Sequence, residues 1–454
     1  MKGNLEKTEK RKLYRDLFVI VLPIAFQNLM TSLVSASDAF MLGFLDQDAL
    51  SASSLAGQIA FVHCLFYNAF VYGCNVLAAQ YWGKKDLRTV EQVLAVTLRY
   101  SLLIGLVFTI LTGFMPTHIM KIFSTEETII AEGAKYLRTV SLSYLLTGFS
   151  QAYFGIMKIC DRAKLSSLIG SVAVILNIIL NYYFIFIAEM GIAGAALATV
   201  LAKIFEVVFI LIIMLQKKCP VFRIRELFSV RNLGFAELHR NYWKYTMPLL
   251  LNQLGWGCGV TMYSVIMGHL GSDATAANSI ASIVRSMTAS LCWGIAGGVA
   301  IIIGGMLGRN ELEKARKAGG SFVRFSIGIG IVSGLVILAL TPLVLKIMDL
   351  NPQALVYLKY MLYMASYYII GNSLNSTVIT GVFSAGGDTR FGMICDIITL
   401  WGFVVPLGMI GAFVLDLPVI AVAFILTLDE FVKLPAVYRH YMKYKWVVNL
   451  TKQS

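Results

Sequence analysis

The hydrophobic pattern of this chain is one of long apolar runs separated by short polar turns. The first run, LFVIVLPIAFQNLMTSLVSASDAFMLGFL from Leu17 to Leu45, holds no charge for its first 21 residues and then a single carboxylate, Asp38. About 20 apolar residues match the hydrocarbon thickness of a bilayer, so the run predicts a membrane-spanning helix. The same criterion predicts eleven more, giving helices over 15–39, 50–81, 93–115, 132–158, 163–187, 191–216, 241–267, 275–306, 321–342, 354–384, 390–414 and 418–442. Pro23 falls inside the first, where it removes one backbone hydrogen bond and marks a hinge.

The polar stretches alternate in charge. The N-terminal tail, WGKKDLR, KICDRAK, the segment 217–240, GRNELEKARK and RHYMKYKW are basic, while the intervening loops carry Asp46, Asp48, Glu126, Glu127, Asp273 and Asp416. Basic loops stay on the cytoplasmic side, so both termini are expected inside a multi-pass cell-membrane protein, the inner or plasma membrane. Residues 217–240 form the longest polar stretch and divide the chain into an N-terminal lobe, 1–216, and a C-terminal lobe, 241–454.

The lobes repeat. At a constant offset of 225 residues Pro23 pairs with Pro248, Gly43 with Gly268, Asp48 with Asp273, Gly83 with Gly308, Arg99 with Arg324 and Gly105 with Gly330. Six helices per half make both halves enter from the same side, which is a parallel repeat about an axis along the membrane normal. The expected fold is all-α: twelve transmembrane helices in two pseudo-symmetric six-helix bundles.

Composition agrees. Of 454 residues, 58% are hydrophobic and 14% charged, and mean hydropathy is +0.74, which excludes an ordinary soluble enzyme. The net charge of +13 is spent in alternate loops, so nucleic-acid binding is not expected. The seven cysteines are scattered with no metal spacing, and no metal or cofactor site is expected. No P-loop, HExxH or GxSxG occurs, so no enzyme activity is expected and any energy source is an ion gradient.

Candidate chemistry lies within the spans. An intramembrane acid costs about 2.5–3.5 kcal/mol to insert and by default marks function. Counting 1.5 Å per residue places Asp38 about 30 Å along the first span, Asn177 and Asn181 about 21 and 27 Å along the fifth, and Thr199 about 12 Å below the start of the sixth. Topology thus permits one cluster of Asp38, Asn177, Asn181 and Thr199, in which amides and a hydroxyl meet the carboxylate in either protonation state. The three neutral residues equally suit plain interhelical glue. The repeat partner of Asp38 is Tyr263, so the halves differ. Arg285 and Asp396 lie in apolar surroundings, where an ion pair would neutralise both; Arg285 could instead meet an anionic substrate. Tyr263 is a candidate cavity-lining residue, and Asn252, Gln253, Asn372 and Asn375 either line a cavity or bond helices together. Lys203 with Glu206, and Glu430 with Lys433, are spaced to close as local structural pairs. Asp161 and Asp388 are expected to cap the helices that follow them.

LPIAFQNLMTSLVSASDAFMLG with DALSASSLAGQ, then AAQYWGKKD, LNIILNYYFIF, GIAGAALATVLA and GGDTR resemble, in order and across both halves, the multidrug and toxic compound extrusion (MATE) family. The resemblance implies an exporter of small organic cations driven by inward H⁺ or Na⁺, expected to act as a monomer in the lipid bilayer without cofactors. It maps Asp38, Asn177, Asn181 and Thr199 onto the family's N-lobe ion site. Asn181 stands where some members carry a second acid, and Phe154 where some carry Asn. One ionisable group makes single-proton coupling the simplest expectation. The wider superfamily also includes lipid-linked oligosaccharide flippases, the alternative function.

Overall fold

A helix in lipid must satisfy its backbone groups internally, and this chain does so with long helices joined by short turns. The computed structural model describes residues 2–43, 47–215, 233–348 and 350–452, so most of the basic segment 217–240, together with Asp46, lies outside the described residues. The helices are α1 (Lys2–Gly43), α2 (Gln47–Gly83), α3 (Leu87–Phe114), α4 (Pro116–Phe123), α5 (Glu127–Ile159), α6 (Ala163–Tyr182), α7 (Gly191–Leu215), α8 (Leu233–His269), α9 (Ser272–Gly308), α10 (Leu312–Ile347), α11 (Pro352–Asn375), α12 (Thr389–Ile397), α13 (Val405–Phe413), α14 (Val419–Leu426), α15 (Asp429–Val432) and α16 (Leu434–Met442). Wider π-helical turns continue α6 over Tyr183–Ile187, follow α11 over Ser376–Phe383, and join α12 to α13 over Ile398–Val404.

Helical segments occupy all twelve expected stretches, several starting earlier than expected: α1 at Lys2 against 15 and α10 at Leu312 against 321. α8 begins at Leu233, so residues 233–240 are helical. α4 is a short helix opened by Pro116. The last span is broken into α14, α15 and α16. Pro435, near the start of α16, has no N–H with which to continue the preceding helix. By length and hydropathy alone eight of the described helices can cross a membrane. Exposed apolar side chains such as Leu103, Val107, Ile110 and Phe114 on α3 suit contact with lipid tails.

Two compact units result: Phe26–Thr246, and Met1–Ala25 with Met247–Ser454. The boundaries do not fall in the polar linker. They cut α1 and α8 beside the repeat-related prolines Pro23 and Pro248. The first part of α1 packs with the C-terminal helices: Leu17 and Val21 share a core with Ile295, Val299, Ile303 and Leu307, and Tyr14 Oη donates to Ser321 O (3.5 Å). The first part of α8 belongs with the N-terminal helices, where Tyr242 Oη donates to Phe70 O (3.0 Å). Each six-helix repeat therefore has its leading helix shared with the other unit.

Within each unit the repeat recurs as packing. A Cβ on Gly105 would lie 2.9 Å from the backbone of α5, and one on Gly330 would lie 2.9 Å from Ile370 Cα of α11. The two glycines are partners at the 225-residue offset, and both let neighbouring helices approach to backbone contact. Lys85 and Asn310, also 225 apart, both adopt positive φ, 65° and 62°, in the turns that end α2 and α9.

Candidate functional site

Asp38 lies in the last turns of α1, Asn177 and Asn181 in the last turns of α6, and Thr199 in the third turn of α7. The structure brings the four together. Asn181 Nδ2 donates to Asp38 Oδ1 and to Asn177 Oδ1 (3.3 Å). Asn177 Nδ2 donates to Thr199 Oγ1 (3.4 Å), which donates to Ala195 O (3.1 Å). Asn177 and Asn181 are buried. Asn181 Oδ1 is buried with no hydrogen-bond partner. The amide of Asn181 thus offers Asp38 an N–H when the acid is a carboxylate and a free acceptor when it is a protonated carboxyl. Tyr136, which packs beside Met41 and Leu42, interacts electrostatically with Asp38. Sequence reasoning missed it, because one tyrosine among 21 carries no local signal.

The C-terminal unit corrects two expectations. Asp396 does not pair with Arg285. Lys433 Nζ donates to Asp396 Oδ1 (2.9 Å), and Asn252 Nδ2 donates to Oδ2 (3.0 Å). The Arg285 guanidinium lies over the Tyr368 ring, 5.5 Å from its centroid. Glu430 and Lys433 do meet, at 3.0 Å, but not as a closed local pair. Asn372 Nδ2 donates to Glu430 Oε1 (2.9 Å) and Asn375 Nδ2 to Oε2 (2.7 Å). The counterpart in the other half is simpler: Lys203 Nζ reaches Glu206 at 2.9 Å and Ser150 Oγ donates to the same carboxylate (2.8 Å). Of the expected cavity-lining residues, Asn252, Asn372 and Asn375 hold acids, and Gln253 joins none of these bonds. Tyr263 lines a small cavity of about 30 Å³ with Met267, Asn278, Arg285 and Thr427.

Asp161 and Asp388 do not cap the following helices. Trp82 Nε1 donates to Asp161 Oδ2 (3.3 Å), and Asp388 Oδ2 lies 2.5 Å from His440 Nε2. The side chain of His440 stacks flat on Phe391, so a tertiary partner outcompetes the local backbone.

The sequence profile of the MatE family matches residues 23–183 and 248–410, once in each repeat. The chain belongs to the MatE family. As a MatE chain it is a multi-pass membrane transporter and not an enzyme. It is 25% identical over 431 residues to the probable multidrug resistance protein YoeA of Bacillus subtilis, covering 89% of this chain and 88% of that one. It is 23% identical to a probable multidrug resistance protein NorM of Thermotoga maritima, with 91% of each covered. Among solved structures it shares its fold with the Vibrio cholerae MATE transporter VcmN in the bent form (TM-score 0.83, 18% identity, 96% and 98% covered). It shares it equally with a MOP superfamily transporter of Pyrococcus furiosus (TM-score 0.87, 17% identity, 96% of each covered).

Proposed function

We propose that this MatE chain is a secondary antiporter that exports cationic amphiphilic organic compounds across the plasma membrane in exchange for H⁺ or Na⁺, with Asp38 as the coupling group. The observation that carries the reading is the bonded line Asp38, Asn181, Asn177, Thr199 within apolar helices. With Asp38 ionised and the transporter open to the cytoplasm, its charge favours a bound organic cation. An ion arriving from outside neutralises Asp38, the Asn181 amide turns its free oxygen to the new carboxyl, and the cation loses its counter-charge and leaves. Pro23 lies inside α1, two residues before the end of its first packing segment at Ala25, and is the hinge by which α1 transmits that change. Both termini are cytoplasmic in this scheme, and one chain suffices.

The flippase reading needs several cationic side chains free to meet phosphate. Arg285 is engaged over Tyr368 beside carboxylates, and Arg324 Nε donates to Gly320 O on its own helix (3.2 Å), which favours the antiporter. Ethidium efflux in everted vesicles, with pH and sodium gradients imposed separately, tests the scheme. Efflux in wild type should follow one gradient, and Asp38→Asn should abolish that dependence. Undiminished gradient-driven efflux by the variant removes Asp38 from coupling.

A further inference from the structure

The last membrane span is interrupted beside its acids. α14 stops at Leu426, α15 begins at Asp429 and ends at Val432, and α16 resumes at Leu434. Two more irregularities lie next to the same cluster. The π-helical segment Ser376–Phe383 begins directly after Asn375, and Ile398–Val404 begins two residues after Asp396. Single helices seldom carry such turns without a local reason, and they recur at functional sites. Here three neighbouring spans each depart from α-geometry where their polar side chains meet. The equivalent pair of the first repeat, Lys203 and Glu206, lies in the uninterrupted helix α7.

The charges in this cluster do not balance. Asp396, Asp429 and Glu430 supply three carboxylates, against Lys433 and Arg285 as the two cations that interact with Asp429. Lys433 is spent on Asp396 and Glu430, and Asn252, Asn372 and Asn375 saturate the same two acids. Asp429 is left out: it is only 7% exposed, and its Oδ1 is buried without a hydrogen-bond partner. The groups facing it are Tyr263 from α8, Arg285 from α9, Tyr367 and Tyr368 from α11, Asp396 from α12, and Glu430 and Lys433 from its own span. The Tyr263 hydroxyl, too, is buried without a partner. Two residues before Asp429, Thr427 lines the cavity shared with Tyr263, Asn278 and Arg285. Its volume of about 30 Å³ has room for water among these polar groups.

We propose that Asp429 is a second proton-binding site of the transporter, served by water in the Tyr263–Arg285–Thr427 cavity and held ready by the broken twelfth span. An incoming hydronium ion forms an O–H bond at Asp429 Oδ1 and leaves as water, and the cluster then carries three negative groups fewer one against two positive. A proton suits the place better than a metal ion, because Lys433 and Arg285 already bring positive charge beside the acids and a covalently bound proton needs no shell of free oxygens. The site deepens the antiport reading, since a chain with protonatable acids in both halves can couple two charges per cycle. Its own test, however, needs neither substrate nor transport.

Infrared spectra of full-length protein in lipid vesicles across a pH titration read the carboxyl C=O stretch directly. In the Asp38→Asn background a titrating carboxyl band should remain, and adding Asp429→Asn should remove it while Asp429→Glu restores it. A band that persists in the double variant, or that is lost with Glu430→Gln but not with Asp429→Asn, overturns the proposal. A band displaced by sodium at constant pH overturns it in favour of a cation site. Wild-type protein supplies a measurement free of folding defects. Dicyclohexylcarbodiimide adds to protonated carboxyls in apolar surroundings, so the peptide containing Asp429 should gain the N-acylurea mass at acid pH and not at alkaline pH; an unmodified peptide at every pH defeats the assignment. Failure of Asp38→Asn to abolish efflux leaves both of these readouts intact.

Discussion

A carboxyl group in an apolar bundle is held by whatever short dipoles can reach it, and in this chain those dipoles are mostly asparagine amides. Asn181 presents both ends of its amide to the problem, a donor engaged by Asp38 and an acceptor with no partner. Asn181→Ala removes a hydrogen bond to a charged group, a loss of about 1.5–3 kcal/mol. The expected outcome is a lower thermal midpoint than that of wild type, read on full-length protein whose fold at room temperature is intact by size-exclusion chromatography. In the other unit Glu430→Ala strips Lys433 and two asparagines of their shared acceptor. Breaking a buried pair from one side costs about 3–5 kcal/mol, so the thermal midpoint should fall well below that of Glu430→Gln, which keeps the shape and part of the bonding. The Asp38 cluster was legible from the sequence because helix depth permitted it and the MATE resemblance pointed to the same four residues. The Lys433–Asp396 pair was not: Glu430 at i, i+3 offered a local partner that satisfied the spacing, and only the fold brings Asp396 within 2.9 Å.

At the scale of elements, apolar length alone located twelve spans, since lipid leaves a helix no alternative to internal hydrogen bonding. Hydropathy is blind to what interrupts a helix while keeping it apolar. ITLWGFV is π-helical and the helix VIAVAFIL stops at Leu426, three residues before Asp429, yet the composition of both stretches reads as uninterrupted. The same blindness hides where a helix changes neighbours. α1 passes from one packing unit to the other at Ala25–Phe26, two residues after Pro23, which deprives the helix of one backbone bond near that point. Pro23→Ala restores the bond and stiffens the crossing. The expected result is a protein as thermally stable as wild type that still binds ethidium, by fluorescence polarisation, but whose gradient-driven efflux is slowed severalfold; wild-type efflux rates would deny α1 a hinge.

For the whole molecule, the 225-residue repeat carries over from letters to structure, from paired glycines at helix contacts to paired turns. The repeat already shows, with Tyr263 opposite Asp38, that its copies differ in chemistry; what it could not announce is that three acids and two cations gather in the second half. Nor could it place the unit boundaries, which fall inside α1 and α8 and not in the polar linker where composition changes. Splitting the chain within 217–232 tests this arrangement. Residues 1–216 produced alone should be degraded or aggregate, and co-production with residues 233–454 should restore a folded, ethidium-exporting pair; a stable solitary first half would contradict it.

The shared leading helix also bears on biosynthesis. Leu17 and Val21 leave the ribosome early, yet their core partners Ile295, Val299 and Ile303 are made some hundreds of residues later. The opening helix must therefore wait in the membrane with one flank unclad while most of the protein is translated, a contact of long sequence separation and correspondingly slow closure. An insertion-assisting factor that shields such a flank would matter more to this chain than to one whose halves mature one after the other.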